Sequence, residues 1–276
     1  MKCSLGLKKI IFLGLLRNEE KMNNIKDNFE ENVFYLNEPS DTKDLEKILQ
    51  AVEGCGYALI RGLFDRTEMR TKLKNLRKIL PMQAVLPSAG MPPEIIRKNS
   101  VKWSIGSQSG SQLGIQRLMM TVYNPLFEFD FLDMHSTFIR LITLRDSLAK
   151  RQHTLLDKNL PSPKFNATRL QIYPAGGGFM SSHIDTRAID NASDISSEYI
   201  QLVLLITEKG EDYSVGGAFV ERSDGSWIDS EENSLSGDVV VYSGNTKHGV
   251  ADIDPQITFN PKSYLGRVVA LATIYN

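Results

Sequence analysis

The sequence predicts an α+β chain, mainly β, in which N-terminal helices pack outside a double-stranded β-helix, or jelly roll. Three observations carry this. Between residues 41 and 80 apolar side chains recur at helical spacing, from residue 168 to 275 the period changes to two, and no crossover helix separates the strands of that second region. Strands joined by turns pair antiparallel, which excludes a parallel doubly wound sheet.

The elements follow in order. Residues 44–52 are amphipathic, residues 57–61 form a short apolar strand after Gly54 and Gly56, and residues 68–80 again show helical spacing. Asp65 is placed to cap that second helix, with Glu68 three positions on, and Pro81 ends it. Residues 81–118 are rich in Pro, Gly, Ser and Gln and show no clear period, which predicts a lid-like loop. A long helix is expected over residues 132–151, where Met134, Phe138, Leu141, Ile142, Arg145 and Leu148 repeat at three and four. Residues 168–173, 199–207, 218–221, 238–242 and 267–275 read as strands rich in Val, Ile, Leu and Tyr, separated by Gly, Asn, Asp and Ser turns.

Composition narrows the function. The 276 residues are 41% hydrophobic and 24% charged, enough for one good core. A formal net charge of -1 supplies no overall field for nucleic acid or an anionic membrane, and basic residues are not clustered with aromatics. Cys3 and Cys55 are the only cysteines, which excludes a disulfide framework or a thiolate zinc finger and fits the cytoplasm. No apolar run approaches the roughly 20 residues that span a bilayer. Residues 1–21 read as a disordered or non-native extension, with Met22 a plausible start, and residues 22–276 as a single domain.

The chemistry is expected at His183, Asp185 and His248. Side chains two apart in an extended chain project to one face, so His183 and Asp185 point together while Ile184 faces away. His248 follows the strand at 238–242, in a turn segment. Two imidazoles and one carboxylate on one side of a metal leave three open positions, the facial arrangement of mononuclear non-haem Fe(II) sites. His135 and His153 lie at or near the long helix and read as packing or solvent residues. Arg267 opens the last strand, where a guanidinium needs an anionic partner, either a ligand carboxylate or an internal Asp or Glu. Arg169, Gln171 and Tyr173 share one face by the same period and are either cavity groups or a cross-strand ladder.

These residues resemble the Fe(II)- and 2-oxoglutarate-dependent dioxygenases, specifically the phytanoyl-CoA-hydroxylase-like and prolyl-hydroxylase-like branches. The matching text runs from Leu170-Gln171-Ile172-Tyr173 through Gly176-Gly177-Gly178 to His183-Ile184-Asp185. It continues through Gly216-Gly217-Ala218-Phe219 and Gly237-Asp238-Val239-Val240-Val241-Tyr242 to His248-Gly249-Val250 and Gly266-Arg267, with residues 57–64 similar to the opening strand. The resemblance implies Fe(II) on His183, Asp185 and His248, and 2-oxoglutarate with its distal carboxylate on Arg267. The gap between His248 and Arg267 is wider than is common in that family, with residues 256–265 as the insert.

It further implies that O2 and 2-oxoglutarate are converted to succinate and CO2 while a substrate C–H bond is oxidised. Asp185 fills the place that halogenating relatives leave to a halide, which favours hydroxylation, desaturation or cyclisation. Trp103, Arg117 and Arg187 are the expected substrate contacts, for a small polar metabolite, an amino acid derivative or a natural-product intermediate. Two alternatives stand beside this reading: a cupin-like metalloenzyme that does not use 2-oxoglutarate, and a jelly-roll binding module without catalysis. No Gly-x-Ser-x-Gly elbow, Walker loop or dinucleotide fingerprint is present.

Overall fold

A computed structural model describes residues 32–39, 42–82, 85–86, 101–107, 114–149, 165–185, 200–222 and 224–275. The chain divides into a unit Met1–Val33 and a unit Phe34–Asn276. The expected extension at residues 1–21 lies outside the described residues.

Among the described residues, two helices precede the sheet core. Helix α1 is Thr42–Cys55 and helix α2 is Arg66–Ile79, with strand β2 (Ala58–Arg61) between them and β1 (Val33–Tyr35) ahead of them. Asp65 caps α2 as its position predicts: it is extended, and its carboxylate accepts the Glu68 N–H at 2.8 Å. Helix α3, His135–Leu148, is shorter than the periodicity suggests, because Asp130 accepts the Met134 and His135 N–H groups at 3.0 and 2.8 Å and fixes its start.

The region expected to be a lid contains strands. After β3 (Val85–Leu86), β4 (Val101–Ser107) pairs antiparallel with β5 (Gln116–Tyr123), Trp103 facing Met120 in register. Val101, Trp103 and Ile105 alternate with Lys102 and Ser104, a short period-two signal that the surrounding Ser, Gly and Gln obscured.

The remaining strands are β6 (Phe165–Pro174), β7 (Gly178–His183), β8 (Ile200–Leu205), β9 (Gly217–Glu221), β10 (Trp227–Asp229), β11 (Val239–Ser243), β12 (His248–Ile253) and β13 (Gly266–Tyr275). Their order is β11-β8-β13-β6, then β5, then β7-β12-β9-β10. Two antiparallel four-stranded runs result, and consecutive strands cross repeatedly from one to the other. This is the expected jelly roll, with β5 bridging β6 to β7.

Alternation divides the first run into two faces. Leu170 and Ile172 of β6, Leu202 and Leu204 of β8, Val239 and Val241 of β11, and Val268 and Ala270 of β13 join one apolar core. Ile48, Met69, Leu73, Phe138 and Leu141 of the helices complete it. The intervening side chains, Arg169, Gln171, Tyr173, Gln201, Val203, Arg267, Val269 and Leu271, line a cavity of about 160 Å3 on the other side. The helices therefore cover one face, and the other faces the cavity.

The insert after β12 explains the long gap before Arg267. It leaves at Asp254 and returns at Leu265, with both ends tied to the β6–β7 turn: Gly177 N–H donates to Ile253 O at 2.9 Å and Ala175 N–H to Leu265 O at 3.0 Å. Gly266 has φ of 116°, and a Cβ there would lie 2.3 Å from Tyr173 O, so only glycine brings Arg267 into register with Tyr173. Among the described residues, no helix is long and apolar enough to cross a membrane.

Candidate metal centre

His183 is the last residue of β7 and His248 the first of β12, and the two are direct cross-strand partners. The turn expected at His248 is thus the opening of a strand, paired on its other side with β9. This pairing brings the imidazole rings to a centroid separation of 4.4 Å. Asp185 lies two residues beyond His183, just after the strand ends. One donor atom from each of His183, Asp185 and His248 falls within 4.8 Å of the others.

The backbone sets the ring orientation. His183 Nδ1 donates to Ser181 O at 2.9 Å and His248 Nδ1 to Thr246 O at 2.8 Å, so each Nε2 keeps its lone pair. Burial, and then the neighbouring His248, push His183 down to about 4, which leaves its imidazole neutral at physiological pH, the form that can bind a metal. The His183 Nε2 to Asp185 Oδ1 distance of 4.0 Å is too long for a hydrogen bond. Asp185 Oδ2 is buried and has no hydrogen-bond partner among the described residues. A buried carboxylate oxygen without a donor is costly unless a cation satisfies it. Two imidazole nitrogens and this orphaned oxygen fit a divalent transition metal. Tyr242 packs its ring 4.6 Å from that of His248 and narrows the cavity behind the ligand.

Of the other residues singled out in the sequence, Arg267, Tyr173, Gln171, Arg169 and Arg117 all line the same cavity. Arg117 enters from β5 opposite Met180, is buried, and adds to the depression of His183. Tyr173 donates to Gln171 Oε1 at 3.1 Å, and the Arg267 guanidinium carbon sits 5.1 Å from the Tyr173 ring centroid. Trp103 does not line the cavity: its ring meets Phe259 of the insert edge-on at 5.8 Å, and Ser104 faces the cavity instead. Arg187 lies outside the described residues.

Glu231 is the group that sequence reasoning missed. It sits just after β10, fully buried, and its carboxylate accepts Arg267 Nε at 2.9 and 2.8 Å and also Arg267 Nη2. Tyr213 OH and Ala218 N–H donate to the same carboxylate at 2.8 and 3.1 Å. Burial alone would raise the Glu231 pKa, but Arg267 and these donors more than offset it, so the carboxyl is held below its usual range. The pair is the internal partner left open as the alternative for Arg267. In sequence, Ser230-Glu231-Glu232 looks like a solvated turn, and nothing local distinguishes the first glutamate from the second.

No protein-family model matches the chain, and no curated protein matches it significantly in sequence. Solved structures do. A Pseudomonas putida prolyl-4-hydroxylase aligns over 83% of this chain and 96% of its own, with 14% identity and a TM-score of 0.51. A prolyl hydroxylase from Trichoplax adhaerens, in complex with a hypoxia inducible factor peptide, covers 84% and 89% at 11% identity and a TM-score of 0.48. An oxidoreductase of the 2OG-Fe(II) oxygenase family from Burkholderia pseudomallei covers 83% and 90% at 12% identity and a TM-score of 0.46. The chain has the jelly-roll fold of the bacterial prolyl-4-hydroxylase, and its described metal-competent cluster is His183, Asp185 and His248.

Proposed function

We propose that the chain is an Fe(II)- and 2-oxoglutarate-dependent oxygenase acting on an unactivated C–H bond of a small polar metabolite, an amino acid derivative or a natural-product intermediate. One 2-oxoglutarate and one O2 would yield succinate and CO2, the second oxygen atom entering the substrate on hydroxylation or leaving as water on desaturation or cyclisation. The observation that carries the proposal is the convergence of two imidazoles and an orphaned carboxylate oxygen at a jelly-roll cavity also lined by guanidinium groups. Neither nucleic acid nor a membrane enters this reading, and the paucity of cysteine fits a cytoplasmic setting.

Iron, when bound, supplies O2 activation that no side chain can provide. The chain's own residues hold, orient and exclude water. His183 and His248 present Nε2 because their Nδ1 protons are committed to backbone carbonyls, and Asp185 balances part of the metal charge. Arg267 serves the distal carboxylate of 2-oxoglutarate, with Tyr173, Gln171 and Arg169 along the same wall. Arg117 and Arg187 receive polar groups of the substrate, and Trp103, held against Phe259, supports the strand that carries Ser104.

The pairing of Arg267 with Glu231 favours a second reading, a metalloenzyme on this scaffold that dispenses with 2-oxoglutarate. One experiment separates them. Anaerobic addition of Fe(II) and 2-oxoglutarate to reduced protein is expected to give a weak visible charge-transfer band that His183→Ala abolishes. Fe(II) binding without any band favours the second reading, and no Fe(II) binding overturns both.

A further inference from the structure

The Arg267 guanidinium has two edges that can each hold a carboxylate, and Glu231 takes only one. The Nε and Nη2 hydrogens go to Glu231, whereas Nη1 has no hydrogen-bond partner among the described residues and Arg267 lines the cavity. Glu231 itself does not line it. The carboxylate thus holds the Nε and Nη2 edge of the guanidinium from outside the cavity lining. Its own donors, Tyr213 OH and Ala218 N–H, leave it little freedom to withdraw. The Tyr173 ring covers Arg267 from a third direction.

We infer that Glu231 is a positioning residue that aims the remaining edge of Arg267 into the cavity and tempers its charge, so that the preference for a 2-oxo diacid over a 2-oxo monoacid is set by the pair. This rests on the oxygenase reading above. A second carboxylate arriving at Nη1 meets a guanidinium whose charge is already matched, so it gains directional hydrogen bonds but only part of the attraction of a lone buried cation. An internal partner also makes the ligand-free protein tolerable, since an uncompensated buried charge destabilises strongly. A salt bridge that were merely structural would leave the preference between the two acids untouched.

The test compares 2-oxoglutarate with 2-oxobutyrate, which lacks the distal carboxylate. Binding to the Mn(II)-loaded protein is measured by calorimetry, without turnover. Glu231→Gln removes the matching charge, and the ratio of the two affinities is expected to rise about fivefold in favour of 2-oxoglutarate, with 2-oxobutyrate binding nearly unchanged. An unchanged or reduced ratio in Glu231→Gln overturns the inference. Should that variant fail to fold, Glu231→Asp retains the charge but withdraws it by one methylene. The ratio is then expected to rise about twofold, and a ratio equal to wild type overturns the inference. If the wild-type protein itself fails to prefer 2-oxoglutarate, the oxygenase reading fails first, and the two failures are told apart by that control.

Discussion

The two faces of the β11-β8-β13-β6 sheet run are built from the same strands and obey opposite rules. On the helix side, Leu170, Leu204, Val239 and Ala270 are completely buried among other apolar groups, and stability there is a matter of area removed from water. On the cavity side, Arg169 and Arg267 are nearly as buried, yet they are guanidinium groups held by named acceptors. Period two places these regimes one residue apart along each strand. A jelly roll can therefore keep a polar cavity without weakening its core, because each strand contributes every second residue to each.

Substitutions at neighbouring positions of β6 separate the two faces. Ile172→Ala removes a core side chain and is expected to cost about 2–5 kcal/mol of unfolding free energy by denaturant titration, while the folded variant retains metal and 2-oxoglutarate affinity. Gln171→Ala, one residue earlier and across the sheet, removes the acceptor of the Tyr173 hydroxyl. Its expected cost is about 1 kcal/mol in stability but about fivefold in 2-oxoglutarate affinity by calorimetry. Equal effects of both changes on stability and binding would mean that the faces are not separate.

Legibility from the sequence follows the same division. The strands β6, β8, β11 and β13 are readable because their outward halves are runs of Leu, Ile and Val, and the α2 cap is readable because Asp65 and Glu68 act locally. Strands β7 and β12 are not. Gly178-Phe179-Met180-Ser181-Ser182-His183 and His248-Gly249-Val250-Ala251 contain glycine, serine and little β-branching, so their extended form comes from pairing with each other across the barrel. His183, Asp185 and His248 are nonetheless legible as a cluster by residue type and spacing, but a strand pair, not a turn, carries His248 to His183. Glu231 was illegible because its partner lies 36 residues away on another strand.

His183, Asp185 and His248 are proposed to share one ion. A crystal structure of the Mn(II)-loaded protein, with data collected for anomalous scattering, tests it directly. The expected result is one strong anomalous peak bonded to His183 Nε2, Asp185 and His248 Nε2, lost in His183→Ala. A peak at any other cluster, or three side chains turned away from a common point in the loaded protein, would contradict it.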